Sequence, residues 1–87
     1  MSVHVELFGI PQRCAGGDCV AAEGARLGEV LLDLARQFPE LAAQCLDRGR
    51  LRPGYLASLN GGPFVTDPAA PICPGDSVLI LSADAGG

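Results

Sequence analysis

The first residues alternate between apolar and polar side chains, a pattern that predicts a strand. Val3, Val5 and Leu7 share one phase, and a period of two places such residues on one face of a strand, against a core. The strand is predicted to end at Gly9-Ile10-Pro11. A glycine-containing loop then leads to a second apolar run at residues 19–22, so the two strands are expected to form a hairpin.

From residue 27 the apolar period lengthens to three and four residues, which predicts an amphipathic helix. Its apolar face comprises Leu27, Val30, Leu31, Leu34 and Phe38. Neither Ala25 nor Arg26 can accept a hydrogen bond from the free amides, so the N-cap is poor. Pro39 ends this helix or starts a second short one through residues 40–46.

The second half of the chain is predicted to complete a sheet. Residues 47–54 are polar and rich in glycine and proline, which predicts a loop. A strand is expected at residues 55–59, then a tight turn at Asn60-Gly61-Gly62 and a short strand at residues 64–65. Residues 77–81 are almost continuously apolar, which is typical of a central strand covered on both faces.

This order of elements predicts one α+β domain in which a mixed sheet packs on one main helix. With the first and last strands at the centre of the sheet, the arrangement is a β-grasp. The domain is predicted to span residues 1–81. Residues 82–87 have only small side chains and are expected to form a flexible C-terminal Gly-Gly tail. A length of 87 residues leaves no room for a second core.

The net charge and the hydropathy pattern argue against nucleic acid and membrane as partners of this chain. The formal net charge of −4 argues against nucleic acid, whose phosphates need a basic face. It suits a partner with a basic docking surface, although acidity of this size is also ordinary for solubility. The apolar runs are too short to span a bilayer, and the first residues lack a signal-peptide pattern. These features predict a cytoplasmic protein, with no membrane partner and with reduced cysteines.

Four cysteines raise the question of a metal site: Cys14, Cys19, Cys45 and Cys73. Plant-type ferredoxins have a cluster loop whose cysteines are separated by four and then two residues. Cys14 and Cys19 match the first interval, but Ala22 stands where the next ligand is needed. His4 is isolated and no Cys-x-x-Cys pair is present, so no zinc site is predicted. A Cys14–Cys19 disulfide would be opposed by the reducing cytosol.

Two turn motifs and the end of the chain carry a resemblance to a known family. Leu59-Asn60-Gly61 closes one predicted strand, Pro74-Gly75-Asp76-Ser77-Val78 leads into the last one, and Ala85-Gly86-Gly87 ends the chain. In this order and at these spacings the chain resembles the MoaD/ThiS family of ubiquitin-like sulfur carriers along nearly its whole length. The turn motifs indicate the fold rather than a reacting group. Glycines without Cβ atoms can enter a narrow channel, which suits a reacting tail.

The resemblance implies that Gly87 is the working residue. A ubiquitin-activating-like adenylyltransferase would use ATP to adenylate the Gly87 carboxylate, and sulfur from a persulfide donor would then displace AMP. The resulting thiocarboxylate would supply a sulfur-accepting biosynthetic enzyme, in molybdopterin, thiamine, cysteine or thio-metabolite formation. The chain would then be a protein cosubstrate, with no catalytic residue, bound cofactor or metal of its own. Partner enzymes would recognise Asp84, Ala85 and Gly86.

The tail departs from the family pattern at one place. Many relatives have a proline where Ser82-Ala83-Asp84 stands in this chain. The charge of Asp84 lies close to the reacting end. It either tunes which partner accepts the tail or is simply a solvated charge.

The face of the sheet away from the helix is the expected docking surface, and two aromatic residues are candidates for it. Phe8 is opposite in phase to the core side of its strand, and Phe64 lies beside a predicted turn. Exposed apolar side chains in such positions often contact a partner. The pattern is equally compatible with core positions for both residues.

Three other functions remain open from the sequence. A ubiquitin-like protein modifier would use the same adenylated Gly87 to form an amide with a lysine. A small subunit of molybdopterin synthase would stay bound to a larger catalytic subunit. An electron carrier would need the iron–sulfur cluster that the cysteine spacing disfavours.

Overall fold

The computed structural model describes residues 2–83. Its strands are β1 (Ser2–Phe8), β2 (Cys19–Glu23), β3 (Leu46–Asp47), β4 (Arg50–Leu51), β5 (Tyr55–Leu59) and β6 (Ser77–Ser82). Its helices are α1 (Ile10–Ala15), α2 (Leu27–Gln37) and α3 (Pro39–Cys45). None of these helices has the length and apolar character that a bilayer crossing requires.

The main sheet is mixed, and the first and last strands lie at its centre. The strand order is β2-β1-β6-β5, in which β1 and β6 are parallel and the two outer pairs are antiparallel. The register sets Val5 beside Val78 and Leu7 beside Ile80, so the buried phases of the two central strands coincide. This topology confirms the predicted α+β β-grasp.

The core lies between one face of this sheet and the apolar face of α2. Its fully buried side chains come from both layers and include Val3, Val5, Val78, Ile80, Leu27, Val30, Leu31 and Leu34. α3 adds Leu41 and Cys45 at one end. Burying a side chain of this size contributes roughly 1.5–3 kcal/mol relative to leaving it in water. The stability of the domain therefore depends chiefly on this layer.

Polar side chains also tie α2 to β2, which is an edge strand. Asp33 is only 9% exposed and accepts a hydrogen bond from the Glu23 backbone N–H at 2.9 Å. Asp33 also accepts from the Arg36 guanidinium and from Gln37 Nε2, the latter at 2.9 Å. Gln37 Nε2 donates in addition to the Ala21 carbonyl at 3.0 Å. The helix thereby satisfies backbone groups on a strand edge that would otherwise be open to pairing.

The short helix α1 occupies a segment that was predicted as the end of β1 and the start of a loop. Gly9 precedes the helix with φ 74°, a left-handed value that glycine adopts cheaply, and Pro11 stands in its first turn. Pro11 is buried. A helix of six residues is too short for a helical period to show in the sequence, which is why the pattern missed it.

The segment of residues 47–54, predicted as a loop, begins with a small hairpin. β3 and β4 pair antiparallel, and Arg48 and Gly49 join them with φ values of 53° and 79°. A Cβ atom on Gly49 would lie 3.2 Å from the carbonyl oxygen of Gly28 in α2. Glycine therefore lets the hairpin approach the helix closely. Strands of two residues carry no periodic signal, so the sequence could not predict this hairpin.

The prediction of a strand at residues 64–65 is wrong. Phe64 makes only a single β-bridge, with Ser58 of β5. Pro63 has no N–H to donate to a neighbouring strand, and this limits the ladder at that point. The segment after the turn therefore lies beside β5 without extending the sheet by a further strand.

The strand β6 is central, as predicted, but it is not covered on both faces. Val78, Ile80 and Ser82 are buried, whereas Leu79 and Leu81 between them are only partly buried. Successive side chains of a strand point to opposite faces. The apolar run therefore has one face in the core and one face on the side of the sheet that α2 leaves uncovered.

Candidate functional site

The sheet has an open face opposite α2. Along β1 the core side is formed by the buried Val3, Val5 and Leu7, and the alternate side chains are exposed. Phe8 belongs to this exposed set, and 52% of its surface is accessible. Of the two interpretations left open by the sequence, the structure therefore supports an exposed Phe8 and not a core position.

The strand register gathers apolar side chains around Phe8 on the open face. Phe8 is paired with Leu81, and Leu81 is paired with Leu56, so the three form a row across β1, β6 and β5. Leu79 is the next residue of the same phase along β6. Phe64, which is 58% exposed, lies at the β5 edge. We call Phe8, Leu56, Phe64, Leu79 and Leu81 the apolar patch.

The apolar patch has a polar border on the β2 side of the open face. The His4 imidazole lies 3.6 Å from the Glu6 carboxylate, and Glu6, Asp18 and Cys19 line a groove together with Phe8. Partial desolvation, followed by the nearby carboxylates of Asp18 and Glu6, raises the pKa of the Cys19 thiol. The two carboxylates make this border acidic.

The two turn motifs of the sequence meet at one end of the sheet. Asn60 Nδ2 donates to Asp76 Oδ1 at 3.1 Å, and Asn60 Oδ1 accepts from the Ser77 N–H at 2.8 Å. Asp76 also accepts from the Cys73 N–H at 2.8 Å. This last bond, and then the bond from Asn60, lower the pKa of Asp76. Both motifs thus hold the end of β5 against the start of β6, which supports their interpretation as features of the fold.

β6 leads into the C-terminal residues from beside the apolar patch. The strand runs one residue beyond its predicted end, to Ser82, which is 4% exposed and belongs to the sheet rather than to a tail. The Ala83 N–H then donates to the Gly54 carbonyl at 2.7 Å. Outside the described residues lie the positions predicted to be recognised or activated, Asp84, Ala85, Gly86 and Gly87.

The four cysteines are free thiols with different exposures. Cys19 and Cys73 are exposed, and Cys14 is partly buried. Cys45 lies in the core, and burial raises the pKa of its thiol to about 11, so it behaves as an apolar core side chain. Within residues 2–83, no three side chains of histidine, cysteine, aspartate or glutamate form a group that could hold a metal ion.

No protein-family model matches the chain, and no curated protein matches it by sequence. The crystal structure of CysO from Mycobacterium tuberculosis, an antigen, is 31% identical over 93% of this chain and 98% of that chain, with a TM-score of 0.78. A chain of the Amycolatopsis orientalis BexX/CysO complex is 27% identical over 98% of this chain and 99% of that chain, with a TM-score of 0.80.

A further match is SAMP1 from Haloferax volcanii, 23% identical over 100% of both chains with a TM-score of 0.83, which shows a shared fold. The fold and the order of its strands thus define a ubiquitin-like β-grasp protein. The likeness to CysO covers nearly the whole of both chains. The chain belongs to the MoaD/ThiS-type family of ubiquitin-like sulfur carriers, as its motifs predicted.

Sequence reasoning found the two phenylalanines of the apolar patch but not its leucines. The almost continuous apolar run of residues 77–81 predicted burial on both faces. For this reason Leu79 and Leu81 were not recognised as residues of the open face. The strand period could have found them. Because Val78 and Ile80 share the core phase of β1, the alternate residues of β6 must face the other side.

Proposed function

We propose that this chain carries sulfur as a thiocarboxylate on its residue Gly87. Membership of the sulfur-carrier family is the observation that carries this proposal, and the resemblance implies Gly87 as the residue that is activated. The position of the tail supports it, because the tail follows directly on β6, whose Leu81 belongs to the apolar patch. Only a few residues of chain would therefore separate a partner docked on the patch from the reacting carboxylate.

The apolar patch is the proposed docking surface for the activating adenylyltransferase. Phe8 and Phe64 are each more than half exposed, and contiguous apolar side chains on the surface of a small protein commonly mark an interaction site. Glu6 and Asp18 border the patch. The partner surface should therefore be apolar at its centre and carry basic residues at the rim that meets these carboxylates.

The chemistry at Gly87 takes two steps, and the partner enzymes supply the catalysis. A carboxylate oxygen of Gly87 attacks the α-phosphorus of ATP, pyrophosphate leaves, and an acyl-adenylate forms. The terminal sulfur of a persulfide then attacks the acyl carbon, and the bond to AMP breaks. A thiol cleaves the remaining S–S bond, which leaves the thiocarboxylate on Gly87 and the donor as a disulfide.

The residues before Gly87 are proposed to guide the tail into its partners. Gly86 and Ala85 have no bulk that would keep the backbone from a narrow channel. Asp84 carries a charge in the stretch where many relatives have a proline, and we assign to it a role in partner choice. A basic side chain at the mouth of the partner's channel would favour this tail over a neutral one.

The acceptor of the sulfur is proposed to be a biosynthetic enzyme of the cytoplasm. In Amycolatopsis orientalis the similar protein CysO occurs in a complex with BexX. A comparable complex would let the acceptor enzyme dock on the same apolar patch and receive the same tail. The four free thiols fit a cytoplasmic location, because that compartment keeps cysteines reduced.

Accurate intact mass tests the proposal directly. The protein is incubated with ATP, a persulfide donor and the cognate activating enzyme, and a gain equal to the exchange of one oxygen for one sulfur is expected. Oxidation of a cysteine or of Met1 gives nearly the same shift, so a thiocarboxylate-selective label is read in parallel. Deletion of Gly87 should abolish the shift and leave the melting temperature unchanged. A shift that survives this deletion contradicts the proposal.

The same activated tail would also serve a protein modifier, which is the second candidate function. Adenylation of Gly87 is common to both routes, and the outcome depends on whether sulfur or an amine attacks the acyl carbon. Higher-mass conjugates in cells that disappear on deletion of Gly87 would favour the modifier. A thiocarboxylate without such conjugates would favour the carrier.

A further inference from the structure

All six basic residues of this chain are arginines: Arg13, Arg26, Arg36, Arg48, Arg50 and Arg52. The 87 residues contain no lysine, so no side chain carries a primary amine. Lysine is among the commonest residues of soluble domains, so its absence is unusual. The consequence concerns the proposed reaction, because primary amines are the nucleophiles that attack an activated carboxyl group.

The arginines lie on the surface of the domain, and all six are exposed. Arg36 pairs with Asp33 on α2. The other five make no salt bridge and no side-chain hydrogen bond to any residue in the range 2–83. Contacts within the domain therefore do not require a guanidinium at these five positions. What separates arginine from lysine there is reactivity, not packing.

A guanidinium group stays protonated at any physiological pH and offers no free lone pair for attack on an acyl carbon. A lysine ε-amine can lose its proton and attack. The nitrogen then bonds to the acyl carbon, the bond to AMP or to sulfur breaks, and the nitrogen loses a proton to leave an amide. We propose that no side chain of this protein forms a lasting amide with its own activated C-terminus, so that the chain acts as a donor and is not linked to a second copy of itself through a side chain. This inference rests on the proposed activation of Gly87.

Thiols are the remaining strong nucleophiles of the described surface, and the structure limits them too. Cys45 is fully buried. Cys19 is exposed, but partial desolvation, followed by the two carboxylates beside it, raises the pKa of its thiol and so disfavours the thiolate. A thioester on the exposed Cys73 or on the partly buried Cys14 would be cleaved by exchange with cellular thiols, which frees the cysteine again. A lasting link between two copies through a thiol is therefore not expected.

The test introduces side-chain amines at the surface and measures whether two chains become linked by an amide bond. Arg13, Arg48 and Arg50 are replaced together by lysine, and a matched control carries glutamine at the same three positions. All three residues are exposed and unpaired, so both variants should fold like the unmodified chain. Each protein, with its α-amino group acetylated, is incubated with ATP and the cognate activating enzyme but without a sulfur donor. Intact mass under thiol reductant is the readout.

A species with the mass of two chains less one water is expected for the lysine variant alone. ATP–pyrophosphate exchange is measured on all three proteins, because its loss in the unmodified chain would count against activation of Gly87 and not against this inference. With exchange intact, linked copies of the unmodified chain that survive reductant would overturn the inference. A lysine variant that exchanges normally and stays unlinked would overturn it as well, because missing amines would then not be what keeps copies apart.

Discussion

The two faces of the main sheet are both apolar at their centres, yet one is buried in the core and the other is exposed. On one face Val3, Val5 and Ile80 are at most 1% exposed beneath α2. On the other face Phe8 is 52% exposed, and no described helix covers it. β1 and β6 each supply residues to both faces. Hydrophobicity alone therefore does not distinguish a core position from a docking position in this protein.

What distinguishes the faces is the layer packed against them. The covered face has its partner within the chain, so its burial contributes to folding. The open face can bury its apolar patch only when another protein supplies the covering surface. A substitution on the first face should therefore change stability, and a substitution on the second should change binding. Neighbouring residues on one strand allow this contrast to be tested.

The largest effect on stability is expected from Ile80→Ala, with Leu79→Ala as its neighbour on the opposite face. Ile80 is fully buried, so the truncation should lower the free energy of unfolding by about 2–5 kcal/mol. Leu79 already contacts solvent, and its truncation should cost only about 1 kcal/mol. Urea denaturation of both variants measures the difference. Equal losses in the two variants would mean that the faces do not differ in the way described.

An intermediate effect is expected from Asp33→Asn, which tests how α2 is held over the covered face. The carboxylate accepts hydrogen bonds from Glu23, Arg36 and Gln37, and a neutral amide cannot accept from all of them. We expect the free energy of unfolding at neutral pH to fall by about 1–3 kcal/mol. The melting temperature should fall with it.

The pH dependence of stability should identify the charge of Asp33 as the cause. The Glu23 amide is the main reason that the pKa of Asp33 lies below its ordinary value in the folded state. A carboxyl group with a lowered folded pKa stabilises the fold above its unfolded pKa, and this contribution disappears as the pH falls through the folded value. The stability gap between the unmodified chain and Asp33→Asn should therefore narrow on acidification below about pH 4. If the difference in stability does not change with pH, the loss in Asp33→Asn is due to the altered shape of the side chain and not to its charge.

The sequence predicted the longer periodic elements of this fold and its glycine turn at residues 60–62, and it missed the elements that are too short to show a period. The helical face from Leu27 to Leu34 and the alternation of β1 span enough residues for a period to appear. α1 and the β3–β4 hairpin are too short to show one. The open side of Leu81 was missed because residues 78–81 are all apolar, and only the phase that β6 shares with β1 tells which of them face the core. The Gly86-Gly87 tail was predicted from its small side chains and its role from the resemblance, and both residues lie outside the described range.

The smallest effect on stability, and the largest on binding, is expected from Phe8→Ala in the apolar patch. Because Phe8 is half exposed in the free protein, its loss should change the free energy of unfolding by less than about 1 kcal/mol. If the activating enzyme buries Phe8 at the centre of its interface, the concentration of carrier needed for half-maximal ATP–pyrophosphate exchange should rise by roughly ten- to a hundredfold. Leu32→Ala is the matched control, because Leu32 is 54% exposed on α2 and lies outside the patch. Since exchange at saturating carrier depends on the tail, it should be nearly the same in all three proteins. Equal weakening by Phe8→Ala and Leu32→Ala would remove the open face from the docking proposal, since exposure alone would then account for the effect.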